Sequence, residues 1–310
     1  MDCEHTGNWR DQELEGRLHV IGAHFDLDRL LDGKKDNQAV AKYYRKSDFF
    51  YGWIHHRGGD AIHMGLSKDG FHKPDDFLNQ ARFVESLLLQ PSMQILELGA
   101  GKLFNTRYLA RKYPQHQFTA LDLPNRRFLK KRVPANVTLR EGDYHDLSAF
   151  AEASFDLVFG VETVCYSENK ERVIAQVSRV LKPGGKVIFF DGYEVRPQED
   201  MTAFERRVSA ICFAAMCVTS RDQYIGSIRQ YLEANRFSHV EITDVTQEVR
   251  PTLRKLDSTS GYFFGHPRLI RFAKRFFPLD ATLNAIAGWL MLLTFDGIHR
   301  YYRVVAEKQA

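Results

Sequence analysis

The sequence predicts an α/β chain built on a parallel, doubly wound sheet, and three observations carry that prediction. The first is Gln94 to Gly101, QILELGAG. Ile95, Leu96 and Leu98 make a buried apolar strand, Glu97 stands near its carboxyl end, and Gly99 and Gly101 let the backbone pass close to a ligand. The second is Asp122, which ends the next apolar strand, Phe118 to Leu121, 25 positions after Glu97. The third is the alternation of short apolar strands with helical segments from residue 94 to 190, which implies parallel strands joined by crossover helices.

Taken in order, residues 1–36 are polar with one apolar patch from Leu18 to Leu31, in which Asp26 to Leu31 suits a short helix. Residues 39–66 are dense in aromatics, glycine and histidine. Pro74 to Leu89 predicts an amphipathic helix: Pro74, Asp75 and Asp76 suit its first turn, and Phe77, Ala81, Val84 and Leu88 line one stripe. The core then reads as strand 94–98, helix 105–113, strand 117–121, helix 124–131, strand 137–139, short helix 147–152, strand 155–160, helix 169–181 and strand 186–190. Residues 196–235 look helical, 240–245 alternates as a strand, and 301–308 looks like a closing antiparallel strand, with a long excursion at 247–299.

A glycine turn and an acidic strand end also fit a dinucleotide site, but that fingerprint requires a third glycine where this chain has Phe104. Tyr108 and Lys112 mimic a dehydrogenase pair, yet they lie on the helix after the glycine turn, the wrong place to reach a nicotinamide. Further on come Glu141-Gly142-Asp143, the strand Phe155 to Phe159, and Leu181-Lys182-Pro183-Gly184-Gly185 leading into Val187 to Phe190. As a set these residues resemble the class I S-adenosylmethionine (SAM) dependent methyltransferases over roughly residues 90–195. The resemblance implies a seven-stranded Rossmann-like sheet with SAM as cofactor. It places Glu97, Gly99 and Gly101 along the methionine part, Asp122 at the ribose and Asp143 at the adenine amino group, with Leu123 and Tyr144 beside them. One departure is Leu103, where many members carry glycine.

The segment with Tyr43, Tyr44, Gly58-Gly59, Ile62-His63 and Gly65 resembles the N-terminal lid of sterol and betaine-type methyltransferases. That likeness implies that Tyr43 and Tyr44 touch the cofactor and that His63 reaches the reaction centre; the alternative is that the tyrosines are core residues of a helix face. His55, His56 and His63 lack a completing Cys or Glu at metal-ligand spacing, so no metal is expected. Between the fourth strand and its helix stands Gly160-Val161-Glu162-Thr163-Val164-Cys165-Tyr166, a position that borders the ligand crevice of an open α/β sheet. The Asp/Asn-Pro-Pro-Tyr/Phe motif of amino-directed DNA, RNA and protein methyltransferases is absent there, which argues against nucleic-acid and protein-glutamine acceptors. The residues resemble the loop of sterol C-methyltransferases instead. If the acceptor is a carbon–carbon double bond, Glu162 can stabilise the cation formed or take a proton, and Tyr166 can stabilise positive charge; alternatively Glu162 caps the following helix. His145 is a second base candidate or a solvent-facing loop histidine.

Composition fits this picture. Twenty-three phenylalanines supply either a bulky core or an apolar pocket, and a net charge of +4 does not by itself imply a polyanion partner. Cys3, Cys165, Cys212 and Cys217 show no CxxC spacing and read as free thiols of a reducing compartment. The N-terminal residues lack the order of a signal peptide, and no segment reaches the roughly 20 apolar residues that span a bilayer, so a cytoplasmic location is expected. Pro267 to Phe277 places Arg268, Arg271 and Arg275 on one helical face and Leu269, Phe272 and Phe276 on another. With the apolar stretch Leu283 to Phe295, which reads as a buried or interfacial helix, this suggests peripheral membrane contact or a greasy acceptor; the alternative for 267–277 is a solvated face over an ordinary core. The expectation is therefore three parts: a lid at 1–89, a SAM-binding core at 90–195, and helical acceptor-pocket insertions with closing strands at 196–310. The expected activity is methyl transfer to a small, largely apolar isoprenoid, lipid or natural product, with carbon favoured as acceptor and nitrogen or oxygen as alternatives. A SAM-binding partner protein that has lost transfer is the rival of another class.

Overall fold

The computed structural model describes residues 6–32, 60–124, 132–218, 220–277 and 279–310. Seven strands form one sheet in the order β3-β2-β1-β4-β5-β7-β6: β1 Gln94–Leu98, β2 Gln117–Asp122, β3 Val137–Glu141, β4 Phe155–Val161, β5 Leu181–Glu194, β6 Phe237–Asp244 and β7 His299–Lys308. The first five strands are parallel, and β7 inserts antiparallel between β5 and β6. Chain order reverses at β1 beside β4, which opens a crevice at the carboxyl ends of those strands.

The central strands are covered on both faces, which is why they read as continuous apolar runs. Ile95, Leu157, Phe159, Ile188 and Phe190 pack on one side; Leu96, Leu98, Val158, Val187 and Phe189 pack on the other, following the two-residue period of a strand. The first side is covered by α1 (Thr6–Gly22), α2 (Leu27–Asp32), α3 (Asn79–Glu85), α4 (Phe104–Lys112), α6 (Ala203–Ala215), α8 (Thr246–Phe264), α9 (Pro267–Phe276) and α10 (Leu279–Thr294). The second side is covered by α5 (Lys170–Val180) and α7 (Ile225–Ala234).

Four expectations change. The single helix expected at 74–89 is a 3-10 turn, Pro74–Leu78, followed by the short helix α3. Asp76 is turned inward, where its carboxylate accepts from Ser67 Oγ and from Lys73 N–H, both at 2.6 Å; this tightens the turn. The helix expected at 147–152 is a series of turns, in which Phe150 N–H donates to Leu147 O at 2.9 Å and the Arg179 guanidinium also donates to the carbonyls of Leu147 and Phe150. Residues 6–22 form α1, of which only a narrow stripe is apolar: Leu14 and Ile21, seven positions apart, are fully buried. Arg17 fixes this helix to the C-terminal excursion through Asp257 and the ring of Trp289. Strand β5 begins at Leu181, ahead of the Pro-Gly-Gly segment that reads as a turn. The helix expected at 124–131 lies, beyond Pro124, outside the described residues.

The excursion at 247–299 is three helices. α10 buries Ile286 and Leu290 completely, and its Trp289 stacks on Phe264 of α8 at 4.8 Å. Among the described residues no helix is long and apolar enough to cross a membrane.

Candidate cofactor and acceptor site

The turn after β1 is shaped by contact with the β4 loop. Gly99 sits at φ +61°, and a Cβ on it would lie 2.0 Å from Thr163 Oγ1; no other residue type fits there. Gly101 follows at φ +54° and donates its N–H to Asp122 Oδ2 at 2.6 Å, while Leu123 N–H donates to Oδ1 at 2.8 Å. Leu103, where a glycine would be unstrained, also adopts a left-handed conformation at φ 62°, with its side chain fully buried. The departure from glycine therefore keeps the loop's backbone shape.

Glu97 is buried at the floor of this turn. It accepts from Asn105 Nδ2 and Thr106 N–H, each at 3.2 Å, and from the Thr106 hydroxyl. Burial pushes its pKa up to about 7. Glu97, Gly99, Gly101, Asp122, Leu123 and Tyr144 line one pocket of about 730 Å³ including its open mouth. Asp143 does not line it. Burial alone would raise its pKa, but hydrogen bonds that its Oδ1 accepts from the Nδ1–H of His145 at 2.6 Å and from the backbone N–H of the same residue at 2.9 Å hold it below the usual carboxylate range. His145 is also tied to Ser167 Oγ at 2.7 Å and faces neither pocket, which removes it as a base candidate in this arrangement. Tyr43 and Tyr44 lie outside the described residues.

A second, larger cavity of about 1090 Å³ including its mouth begins where the first ends. Ile62, His63, Glu162 and Tyr166 line both, so the three expected catalytic residues form the partition. Glu162 directly follows β4 at φ +47°, an unusual conformation for a non-glycine residue. Its Oε1 accepts from Met64 N–H at 2.7 Å and from the Tyr301 hydroxyl at 2.9 Å; it does not cap the following helix. Burial, with the nearby charge of Asp191 adding to it, raises its pKa to about 8. His63 is buried, its Nδ1–H donating to Met64 O at 3.0 Å and its Nε2 without a partner. Burial lowers its pKa to about 4, so it is neutral.

Sequence reasoning missed Asp191, whose buried carboxylate accepts from Cys165 N–H at 2.9 Å and whose pKa burial raises to about 6. Its place near the end of β5, beside the crevice, was the available signal. It also missed Tyr301, Thr163 and Asn105, which act through other residues, whereas Phe213, Met291 and Phe295 line the cavity from the 196–310 segment expected to supply acceptor-pocket insertions. Tyr108 and Lys112 both bind Glu85 on α3, clear of the cofactor pocket, as their position on α4 implied. Among the described residues no group of His, Cys, Asp and Glu is arranged to hold a metal ion.

Residues 96–189 match the family model of the methyltransferase domain. That stretch holds the glycine turn, Asp122, Asp143 and the β4 loop. The core is a class I SAM-dependent methyltransferase domain, and its cofactor is S-adenosyl-L-methionine. The chain is 32% identical over 162 residues to glycine/sarcosine/dimethylglycine N-methyltransferase of Actinopolyspora halophila, covering 48% of this chain but 28% of that protein. It is 25% identical over 269 residues to an S-adenosyl-L-methionine-dependent Diels-Alderase of Talaromyces variabilis, covering 81% of this chain and 91% of that one. The crystal structure of the [4+2]-cyclase SpnF superposes with a TM-score of 0.65 at 18% identity over 89% of this chain and 97% of the other. Thus the methyltransferase domain is shared with proteins named for methyl transfer and for cyclisation.

The residues fit SAM: two carboxylates suit its cationic methionine end and its ribose hydroxyls, and the side-chain-free turn at Gly99 gives close backbone approach. Gly99→Ala is expected to abolish the thermal stabilisation given by S-adenosylhomocysteine, because the added methyl displaces Thr163, which lines the cofactor pocket. A differential scanning measurement with and without that ligand checks it.

Proposed function

We propose that the protein methylates a small, largely apolar molecule, with a carbon–carbon double bond as the favoured acceptor. The observation that carries this reading is the partition. A desolvated carboxyl, Glu162, stands between a pocket suited to SAM and a cavity walled by Met64, Phe77, Phe213, Met291 and Phe295. SAM, when bound, supplies an electrophilic methyl group. The chain's own residues then have three tasks. Glu97, Gly99, Gly101, Asp122, Leu123 and Tyr144 hold the cofactor; Asp143, whose Oδ1 is engaged with His145, joins them through its other oxygen. The apolar wall excludes water and aligns the acceptor, which supplies much of the acceleration in an in-line transfer. Glu162, fixed by Met64 and Tyr301, stabilises positive charge on the acceptor or removes its proton, with the Tyr166 ring alongside. An amine or hydroxyl acceptor would need less of this machinery, and for that reason ranks second among transfer reactions.

A second reading has one specific observation in its favour. A relative matched over most of both chains is named as a Diels-Alderase that depends on SAM. With a pKa of about 8, Glu162 is mainly protonated at neutral pH, and a neutral carboxylic acid can donate a hydrogen bond to a dienophile carbonyl. Incubation with SAM and a panel of isoprenoid, alkene and polyene acceptors separates the two readings. Methyl transfer produces S-adenosylhomocysteine in proportion to product, whereas cyclisation converts the acceptor with SAM intact.

We also propose peripheral contact with an anionic membrane through α9. Its Leu269, Phe272 and Phe276 are 38%, 52% and 66% exposed, and Arg268, Arg271, Lys274 and Arg275 are exposed around them without an acidic residue on the helix. Such a face suits the boundary of a negatively charged bilayer. The protein is expected to float with phosphatidylserine vesicles and not with phosphatidylcholine vesicles, and Phe272→Glu with Phe276→Glu to remove flotation. Flotation that survives the double substitution excludes α9 as the contact.

A further inference from the structure

We infer that the cavity beyond Glu162 takes an amphiphile, an apolar skeleton ending in an anionic oxygen group that lies against Lys255. The inference rests on the reading of this cavity as the acceptor site and adds to it the chemical class of the acceptor's far end.

The cavity wall is apolar for most of its extent, and Lys255 is the one lysine or arginine among the described residues that line it. The three histidines lining it do not compete as cations. Burial lowers the pKa of His63 to about 4 and of His299 to about 3, and lowers that of His72 with help from the charge of Lys255. Lys255 lies one turn after Thr252 on α8, on the same helical face. Its Nζ donates to His72 Nε2 at 3.3 Å. That bond makes Nε2 the unprotonated nitrogen, so Nδ1–H points to Thr252 Oγ1 at 3.5 Å, and the Thr252 hydroxyl donates to Gly65 O at 3.3 Å. With Lys255 as an ammonium, its Nζ, the His72 Nδ1–H and the Thr252 hydroxyl each face an acceptor, and the contact with His72 holds Nζ at the cavity wall.

Phe77 sets its position relative to the partition. Its ring makes an edge contact with His63 at 6.1 Å and another with His72 at 5.6 Å. Phe77 thus touches both His63 of the partition and His72, the residue that Lys255 contacts. A molecule with its reacting carbon at Glu162 and its anionic oxygen at Lys255 would span the apolar stretch between them. A cation in a mostly apolar wall favours a carboxylate or enolate over a neutral end of the same length.

The test uses the full chain saturated with S-adenosylhomocysteine, with dodecanoate and dodecanol as probes in isothermal titration at pH 7.5. Dodecanoate is expected to bind at least about tenfold more tightly than dodecanol, the scale of one charge-assisted contact. Lys255→Met is expected to remove that preference while leaving dodecanol and S-adenosylhomocysteine affinities unchanged, and Lys255→Arg to restore it. Equal binding of the two probes by the unsubstituted protein overturns the inference alone, as does a preference that survives in Lys255→Met. Failure of both probes to bind overturns it together with the apolar-acceptor reading.

Discussion

Glu162→Gln is expected to lower turnover by at least about a hundredfold, the usual scale for losing a positioned acid or base, while S-adenosylhomocysteine affinity stays within about threefold. Glutamine keeps an oxygen for Met64 N–H and the Tyr301 hydroxyl, so the φ +47° turn after β4 retains its supports and the fold is preserved. What is lost is the capacity to ionise. The pH profile then separates the readings of the site. The folded pKa of Glu162 is raised to about 8, so its ionised fraction grows as pH climbs toward that value. A carboxylate that stabilises a cation or removes a proton gives kcat rising with pH and levelling above about 8. A protonated acid that activates a carbonyl for cyclisation gives the opposite slope over the same window. In Glu162→Gln either slope should flatten, and unchanged turnover in this variant would remove the residue from the chemistry.

The parts of this molecule legible in the sequence are those set by local pattern. Gln94–Leu98 and Phe155–Val161 are buried on both faces, and only an uninterrupted apolar strand satisfies that. Gly99 was legible because one backbone conformation and one close approach, to Thr163, demand glycine. Helix α1 was not, because its docking depends on the arginines Arg10 and Arg17 as much as on Leu14 and Ile21, and arginine partners cannot be assigned without the fold. The turns at 147–152 escaped for a similar reason: they are tied down by Arg179, far along the chain, which donates to the carbonyls of Leu147 and Phe150. In the site, Glu162 and Tyr166 were legible by position on the sheet, whereas Tyr301 and Lys255 reach the same space from the last strand and from α8. Asp143 shows the converse. The family resemblance puts it at the cofactor, and the structure adds that its Oδ1 is engaged by His145, two residues away, a contact no sequence pattern announced.

Cofactor affinity is expected to rise between about pH 6 and pH 8 because of Glu97. In the free protein burial holds this carboxyl at about pKa 7, so at pH 6 it is mainly protonated. Contact with the cationic methionine end of SAM requires the ionised form, and binding must therefore release a proton below about pH 7, with affinity changing up to about tenfold per pH unit there. The sign for folding is opposite. A carboxyl whose folded pKa is raised contributes stability that is complete below its ordinary value of 4.5 and is lost as pH rises through about 7. The free protein thus loses stability across the window in which the cofactor gains affinity, and the thermal shift given by S-adenosylhomocysteine should grow from pH 6 to pH 8. Glu162 and Asp191 also titrate within or beside this window, so the substitution at Glu97 is the deciding comparison. Glu97→Gln retains an acceptor for Asn105 and Thr106 but cannot ionise. It is expected to weaken binding by about thirtyfold or more, the scale of a charged hydrogen bond, and to make affinity nearly independent of pH. Isothermal titration in two buffers of different ionisation enthalpy reads the released proton directly. Affinity that is flat from pH 6 to pH 8 in the unsubstituted protein would show that Glu97 does not meet the cofactor's charge, and Asp122 would then be the carboxylate to test in its place.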